Sequence, residues 1–205
     1  AKMPTASRGA IWTVYFIVFV DLFQFTFIFP LVPMIVKALA QERTHAFMGT
    51  PAQKIGLLAS AAAGAGGVAA PYLGRLADSV GRRTLFVVAQ AGGVAANMMT
   101  GLAPTYAVLL LSRILDGVTG GTAGVAAAYI ADVTSEAERP GYMSYYMAAS
   151  FLGLSTGPAI GGLVSACCGW RTACFAAAGV CAVNLACTAL FLPDSSAQRA
   201  APEGG

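Results

Sequence analysis

Apolar residues fill this chain in six long runs, at roughly 11–36, 54–74, 84–103, 106–131, 142–165 and 171–192. A bilayer core takes about 20 apolar residues in helical form, so each run predicts a membrane-crossing helix. A transmembrane strand reading fails, because the runs are too long and do not alternate polar with apolar residues. The connectors at 104–105 and 166–170 are very short, which predicts antiparallel neighbours. The pattern therefore predicts an all-α membrane protein of six transmembrane helices. A polar segment at 1–10 precedes the bundle, and a Pro/Gly/Ala-rich linker at 193–205 follows it.

Composition sharpens this picture. The 205 residues are 57% hydrophobic and only 10% charged, against about 25% charged in a soluble domain. So few charges cannot dress a water-facing surface. The net charge of +3 is small and suggests no nucleic-acid partner. No motif calls for a cofactor. The five cysteines, Cys167, Cys168, Cys174, Cys181 and Cys187, form no CxxC pair, and His45 is the only histidine, so a metal site is not expected. They read as small apolar packing residues. The chain starts at Ala1 and ends in PDSSAQRAAPEGG, which reads as a fragment or processed chain with no signal peptide.

Charge also orients the bundle. Six spans put both termini on one side. With both termini cytoplasmic, Lys2, Arg8, Arg75, Arg82, Arg83, Arg139 and Arg199 fall inside, and Lys37, Arg43, Lys54 and Arg171 fall outside. That excess of basic residues favours cytoplasmic termini. Trp12, Tyr106, Tyr142 and Trp170 stand near span ends, where amphipathic rings settle. A faint repeat sets Ala59, Ser60 and Gly67 against Ala149, Ser150 and Gly157, and spans one and four each carry an acid. Three spans followed by three related spans in inverted orientation is a transporter architecture.

The charges inside the spans carry the candidate chemistry. LLLSRILDGVTGG, residues 109–121, sets Arg113 and Asp116 in an otherwise apolar run. Counted at 1.5 Å per residue from the span ends, Arg113 lies about 10 Å deep and Asp116 and Asp21 about 15 Å. Such groups face protein or a water-filled cavity. Arg113 and Asp116 stand three residues apart and meet on one helix face. Asp21 shares a face with Gln24, Phe25 and Ile28. An acid beside an aromatic suits an organic cation, and it also suits a proton carrier, because a carboxylate's hold on a proton responds to burial and to nearby charge. Arg113, Gly117, Gly120 and Gly124 follow helical spacing and form a thin stripe. It reads either as a close-packing face or as a cavity wall. Gly153, Gly157, Pro158, Gly161 and Gly162 predict a thin, bendable fifth span. In the loop GRLADSVGRRT, Gly74 and Gly81 bracket a predicted tight turn, with Asp78 as acceptor beside Arg82 and Arg83. That loop also reads simply as a topogenic basic loop with a helix cap at Asp78. An intramembrane enzyme is disfavoured, because the spans hold no His/Cys/acid cluster and Ser60 and Ser150 have no evident base.

Four strings, in order and on the matching spans, resemble the major facilitator superfamily. GRLADSVGRRT resembles its signature loop between spans two and three. LSRILDGVTGGTAGVAAAYIADVT, residues 111–134, resembles its fourth helix, with Arg113 and Gly117 in motif positions. GLSTGPAIGGL, residues 153–163, resembles the Gly-Pro-x-x-Gly-Gly element of its proton-coupled exporters. DLFQFTFIFPLVP, residues 21–33, resembles the first helix of tetracycline exporters and vesicular amine transporters. Ser79 stands where the loop often has a basic residue, and Asp116 where many relatives have glutamine. Tetracycline exporters carry a third-helix carboxylate, whereas span three here has only Gln90 and Asn97, which points away from tetracycline as the substrate.

The resemblance implies the N-terminal half of a twelve-helix secondary transporter, a membrane protein and not an enzyme. Its partners would be the lipid bilayer, a small-molecule substrate with protons, and a second six-helix half from the same gene product or another copy. Asp21, Gln24, Phe25, Arg113 and Asp116 are the expected substrate and proton pathway. Gly74, Asp78, Gly81, Arg82 and Arg83 form the expected gating loop. Gly117, Gly120, Gly124, Gly153, Gly157, Pro158, Gly161 and Gly162 form the expected packing and antiporter element. Proton-coupled export of a small organic or cationic compound by alternating access competes with uniport or symport without proton exchange, and with a transport-dead scaffold.

Overall fold

The computed structural model describes residues 8–120 and 122–192, apart from 42–48. The terminal segments, Arg43 and His45 lie outside the described residues, as do the side chains of Arg8 and Asp78. Eight helices follow one another: α1 Arg8–Phe27, α2 Leu31–Gln41, α3 Pro51–Val80, α4 Arg82–Leu102, α5 Tyr106–Thr119, α6 Thr122–Val133, α7 Arg139–Cys168 and α8 Trp170–Phe191. They make six stretches long and apolar enough to cross a bilayer: Ile11–Ala40, Pro51–Ala77, Arg82–Leu102, Tyr106–Val133, Arg139–Cys168 and Trp170–Phe191. Among the described residues there is no strand.

Two spans are broken, and both breaks have local causes. The first is interrupted between α1 and α2. Pro30 lacks a backbone donor, and it disfavours helix at Phe29 before it. The chain crosses the gap by short turns, with Phe29 N donating to Thr26 O at 3.1 Å and Leu31 N to Ile28 O at 3.0 Å. The fourth is interrupted at Gly120, whose N–H donates to Gly117 O at 3.3 Å and closes α5. The glycine spacing of this span reads as one continuous helical stripe, but the helix ends inside it.

The joints between spans repeat as well. A single residue, Gly81, links α3 to α4 with φ 89°. Gly169 links α7 to α8 with φ 83°. Both values lie where side chains resist and glycine does not. The turn is therefore much tighter than the sequence suggests. Gly74 sits inside α3 and takes no part in it, and Gly81 holds the N-cap position of α4.

Packing completes the symmetry. The main contacts pair α1 with α7, α3 with α5, and α4 with α8. If spans one to three map onto four to six, the first two pairings exchange and the third maps onto itself. The pairings are those of a 3+3 repeat of helices. Two apolar cores occupy its two ends. One is built on Val14, Ile17, Val18, Phe86, Tyr129 and Ile130. The other is built on Phe27, Leu31, Ile35, Leu58, Tyr106 and Leu109. Tyr106, at the start of α5, is buried in the second core, and its hydroxyl donates to the Lys54 carbonyl at 2.7 Å.

Candidate functional site

Between the two cores lies a cavity of about 650 Å³ walled by α1 to α6. It lies where the apolar side chains of α1 give way to Asp21 and Gln24. Asp21, Gln24, Phe25, Arg113 and Asp116 all line it. Gln90 of α4 and Thr122 of α6 join them. The α3 wall consists of Ile55, Leu58, Ala59, Ala62, Ala63 and Gly66 and carries no polar side chain.

The acid on α1 is held by a distant helix. Asn184 Nδ2 of α8 donates to Asp21 Oδ1 at 3.0 Å, and it lies 3.4 Å from the Ile17 carbonyl. Asp21 Oδ2 and Asn184 Oδ1 are buried and without a partner among the described residues. The Thr188 hydroxyl is within donating reach of Gln90 Oε1 (3.0 Å) and of the Asn184 carbonyl (2.9 Å). Asn97 Nδ2 donates to Gln24 Oε1 at 3.1 Å. The span with no acid therefore still presents two amides to this polar layer.

The charges on α5 are arranged differently. Arg113 Nη1 donates to Asp116 Oδ2 at 3.3 Å, so the two form an ion pair one turn apart. Arg113 Nη2 donates to Thr100 Oγ1 of α4 at 2.7 Å, and Ser112 Oγ stands 3.0 Å from the same hydroxyl. Among the described residues Arg113 pairs with Asp116 and not with Asp21. Asp21 and Arg113 share the cavity but do not neutralise each other.

The glycines divide by what surrounds them. A Cβ on Gly117 would run into the Ala62 carbonyl of α3, and one on Gly66 would stand 3.1 Å from the Gly117 carbonyl. Gly153, Gly157 and Gly161 press likewise on the α1 backbone, at Phe19, Phe23 and Phe27. Gly162 approaches Pro30, where the first span breaks. α7 runs unbroken through Pro158. Gly117 and Gly120 also line the cavity, whereas Gly124 neither lines it nor has any atom near its Cβ position. The expected four-residue stripe is thus split by the helix break.

At the end of the bundle where Gly81 turns, Arg82 Nε donates to Asp132 Oδ2 at 2.8 Å. Arg83 donates to the Ala189 carbonyl of α8. Arg139 donates to the Ala131 carbonyl at 3.0 Å. These bonds tie α4, α6, α7 and α8 together at one end.

A family model, the Major Facilitator Superfamily, matches residues 14–205. The chain belongs to that superfamily. Tetracycline resistance protein class G of Vibrio anguillarum is 41% identical over 97 residues, covering 47% of this chain and 25% of that protein. Class E of Escherichia coli is 32% identical over 146 residues, covering 71% of this chain and 35% of that one. The crystal structure of the human organic anion transporter MFSD10 (TETRAN) superposes with a TM-score of 0.79 at 22% identity, over 92% of this chain and 48% of that one. The chain thus spans a quarter to about a third of these curated relatives and about half of the solved transporter. It is an integral multi-pass membrane protein with a half facilitator fold, of a transporter family and not an enzyme family.

Sequence reading missed Asn184, Thr100 and Asp132. Asn184 carried a signal: it is the only amide in the apolar run TACFAAAGVCAVNLACTALF. Asp132 lay inside the string that resembles the fourth helix, but its partner Arg82 is 50 residues away.

Proposed function

We propose that this chain is one half of a secondary transporter that exports a small organic cation in exchange for protons by alternating access. The supporting observation is a carboxylate, Asp21, with no cationic partner among the described residues, in a cavity whose other two charges neutralise each other. A lone buried charge is costly, so such a site favours holding either a proton or a cation. Exchange follows when the two compete for one carboxylate. Phe25, about half exposed on the same wall, offers its ring face to an organic cation. The volume suits a drug-sized molecule. Arg113 faces the cavity and sets the protonation of Asp21 or the placement of substrate, with Asp116 orienting it.

In this reading both termini, residues 1–10 and 193–205, are cytoplasmic. The Gly81 end then closes the cytoplasmic gate through Arg82, Arg83 and Asp132, with Asp78 as a further acceptor. A second six-helix half, from the same gene product or another copy, supplies the other wall. Residues 1–205 alone should carry no flux unless they pair with themselves. In vesicles containing the assembled transporter, an imposed pH gradient should drive accumulation of organic cations, and an uncoupler should abolish it. Uncoupler-insensitive accumulation would replace exchange by uniport. Accumulation of organic anions instead of cations would overturn the reading, as would robust flux from a demonstrably monomeric chain.

A further inference from the structure

We infer that Asn184 is a positioning residue that recognises the protonated form of Asp21, closing a two-point acid–amide pair when the proton arrives. The proposal deepens the reading of Asp21 as a proton site and rests on it. It starts from two buried atoms without partners, Asp21 Oδ2 and Asn184 Oδ1. They belong to two groups already joined by one bond, Asn184 Nδ2 to Asp21 Oδ1 at 3.0 Å. Both unpartnered atoms are acceptors while Asp21 is ionised, so no bond between them exists in that state. A proton on Oδ2 turns it into a donor. The carboxylic acid and the primary amide are then complementary: N–H to the acid carbonyl, and O–H to the amide carbonyl. One proton satisfies both stranded atoms and creates no new unpaired group.

The setting fits this use. The second Asn184 N–H points to the Ile17 carbonyl at 3.4 Å, which fixes the amide's orientation against α1. An acceptor left stranded in each buried group is costly, so a structural amide alone does not account for the arrangement. The charged groups that share the cavity are Arg113 and Asp116 of α5, already paired. Thr122 of α6, whose hydroxyl also hydrogen-bonds the Asp21 carboxylate, and Gln90 of α4 are its neutral polar walls. On α8, the Cys181 thiol donates to the Gln90 carbonyl at 3.3 Å and lies within electrostatic reach of Asp21. The stretch of α7 from 147 to 166 carries no titratable side chain, and those of α4 are confined to Arg82 and Arg83 at its start. Of these groups, Asn184 is the one bonded to Asp21 whose own second polar atom is left without a partner among the described residues.

Infrared difference spectra of the whole chain in lipid nanodiscs, between acid and alkaline buffer, test this without any flux. Asp21→Asn identifies the acid carbonyl band by deleting it. In the wild type that band should sit at the position of a strongly hydrogen-bonded acid. In Asn184→Leu it should move to the position of an unbonded acid. A second measurement needs no variant: the side-chain amide band of isotope-labelled asparagine should shift with the same pH midpoint as the acid band. An acid band in the unbonded position in the wild type would overturn the proposal. So would a band unmoved by Asn184→Leu, an asparagine band indifferent to pH, or no Asp21-dependent band at all. Transport that proves uncoupled from protons, with these band shifts intact, would remove the exchange reading and leave the pair standing.

Discussion

Asp21 and Asp116 are the acids of the first and fourth spans, each on the helix that breaks further along its own span. Asp116 has Arg113 one turn before it and is neutralised within α5. Asp21 has no such neighbour and leans on an amide from α8. The surrounding scaffold is nearly symmetric: glycines of α7 press on α1, Gly66 and Gly117 join α3 to α5, and Gly81 and Gly169 turn the two outer joints. The repeats thus share backbone economy but not charge. Symmetry builds the cavity, and its breach leaves one acid with no cationic partner among the described residues while the other is paired.

The comparison breaks most severely if Asp21 is replaced. Asp21→Asn should abolish pH-driven exchange in vesicles. If Asp21 also pairs with a cationic substrate, affinity should fall by roughly 30-fold or more, since stranding a charge from its partner costs about 2 kcal/mol or above. Equilibrium binding of charged and neutral analogues separates the two roles: a proton site alone loses coupling and keeps binding. Unchanged coupled transport would remove Asp21 from both.

Next in size is the pair on α5. Arg113→Leu strands Asp116, and breaking a buried pair from one side costs about 3–5 kcal/mol. The double change Arg113→Leu with Asp116→Leu strands nothing, so thermal unfolding in detergent should recover most of that loss. Coupled transport should stay dead, because the cavity has lost its cation. Arg113→Lys should keep part of the activity, with its charge present but its fork of donors to Asp116 and Thr100 gone. A transporting double-leucine variant would mean that the pair only balances charge.

What the sequence made legible follows from which forces act locally. Six apolar runs and the acids within them needed only hydropathy and helical rise. Asp21, Gln24 and Phe25 fell on one cavity wall because three- and four-residue spacing suffices to place them. Partner choice was not legible. Asn184 meets Asp21 across 163 residues, and Thr100 meets Arg113 from another helix, so both depend on how helices pack. The break at Gly120 was hidden for another reason: a glycine every three or four residues marks a thin helix face and a helix stop equally well. Gly74 misled in the same way, as a glycine that reads as a turn but lies within α3.

Smaller effects test the seams and the gate. Gly117→Ala should cost about 1–3 kcal/mol, because its Cβ meets the backbone of α3 at Ala62, which cannot step aside cheaply. Chemical unfolding in micelles measures it, and an unaffected variant would mean that α3 and α5 are less tightly joined than described. Asp132→Asn should weaken the bond to Arg82 by about 1 kcal/mol at most, since Asp132 is one-third exposed on its side chain. The expected readout is faster opening at the Gly81 end, seen as quicker labelling of a cysteine placed there, with cation affinity unchanged.

The least perturbing change separates the two ends of the glycine series. Gly124 shares helical spacing with Gly117 but lies beyond the break, in α6, with nothing within 4 Å of its Cβ position and no place in the cavity wall. An added methyl group there meets no neighbour among the described residues. It also removes backbone freedom from the unfolded state, worth about 0.4–1 kcal/mol when the native angles suit alanine. Gly124→Ala should therefore leave the fold unchanged or slightly stabilised, opposite in sign to Gly117→Ala. Transport should stay at the wild-type rate if the glycine serves only as a thin point of α6. A loss of transport with unaltered stability would locate a contact of the working transporter at Gly124, one made by substrate or by the second half. The thin face would then run on past the break, and the division drawn at Gly120 would fail.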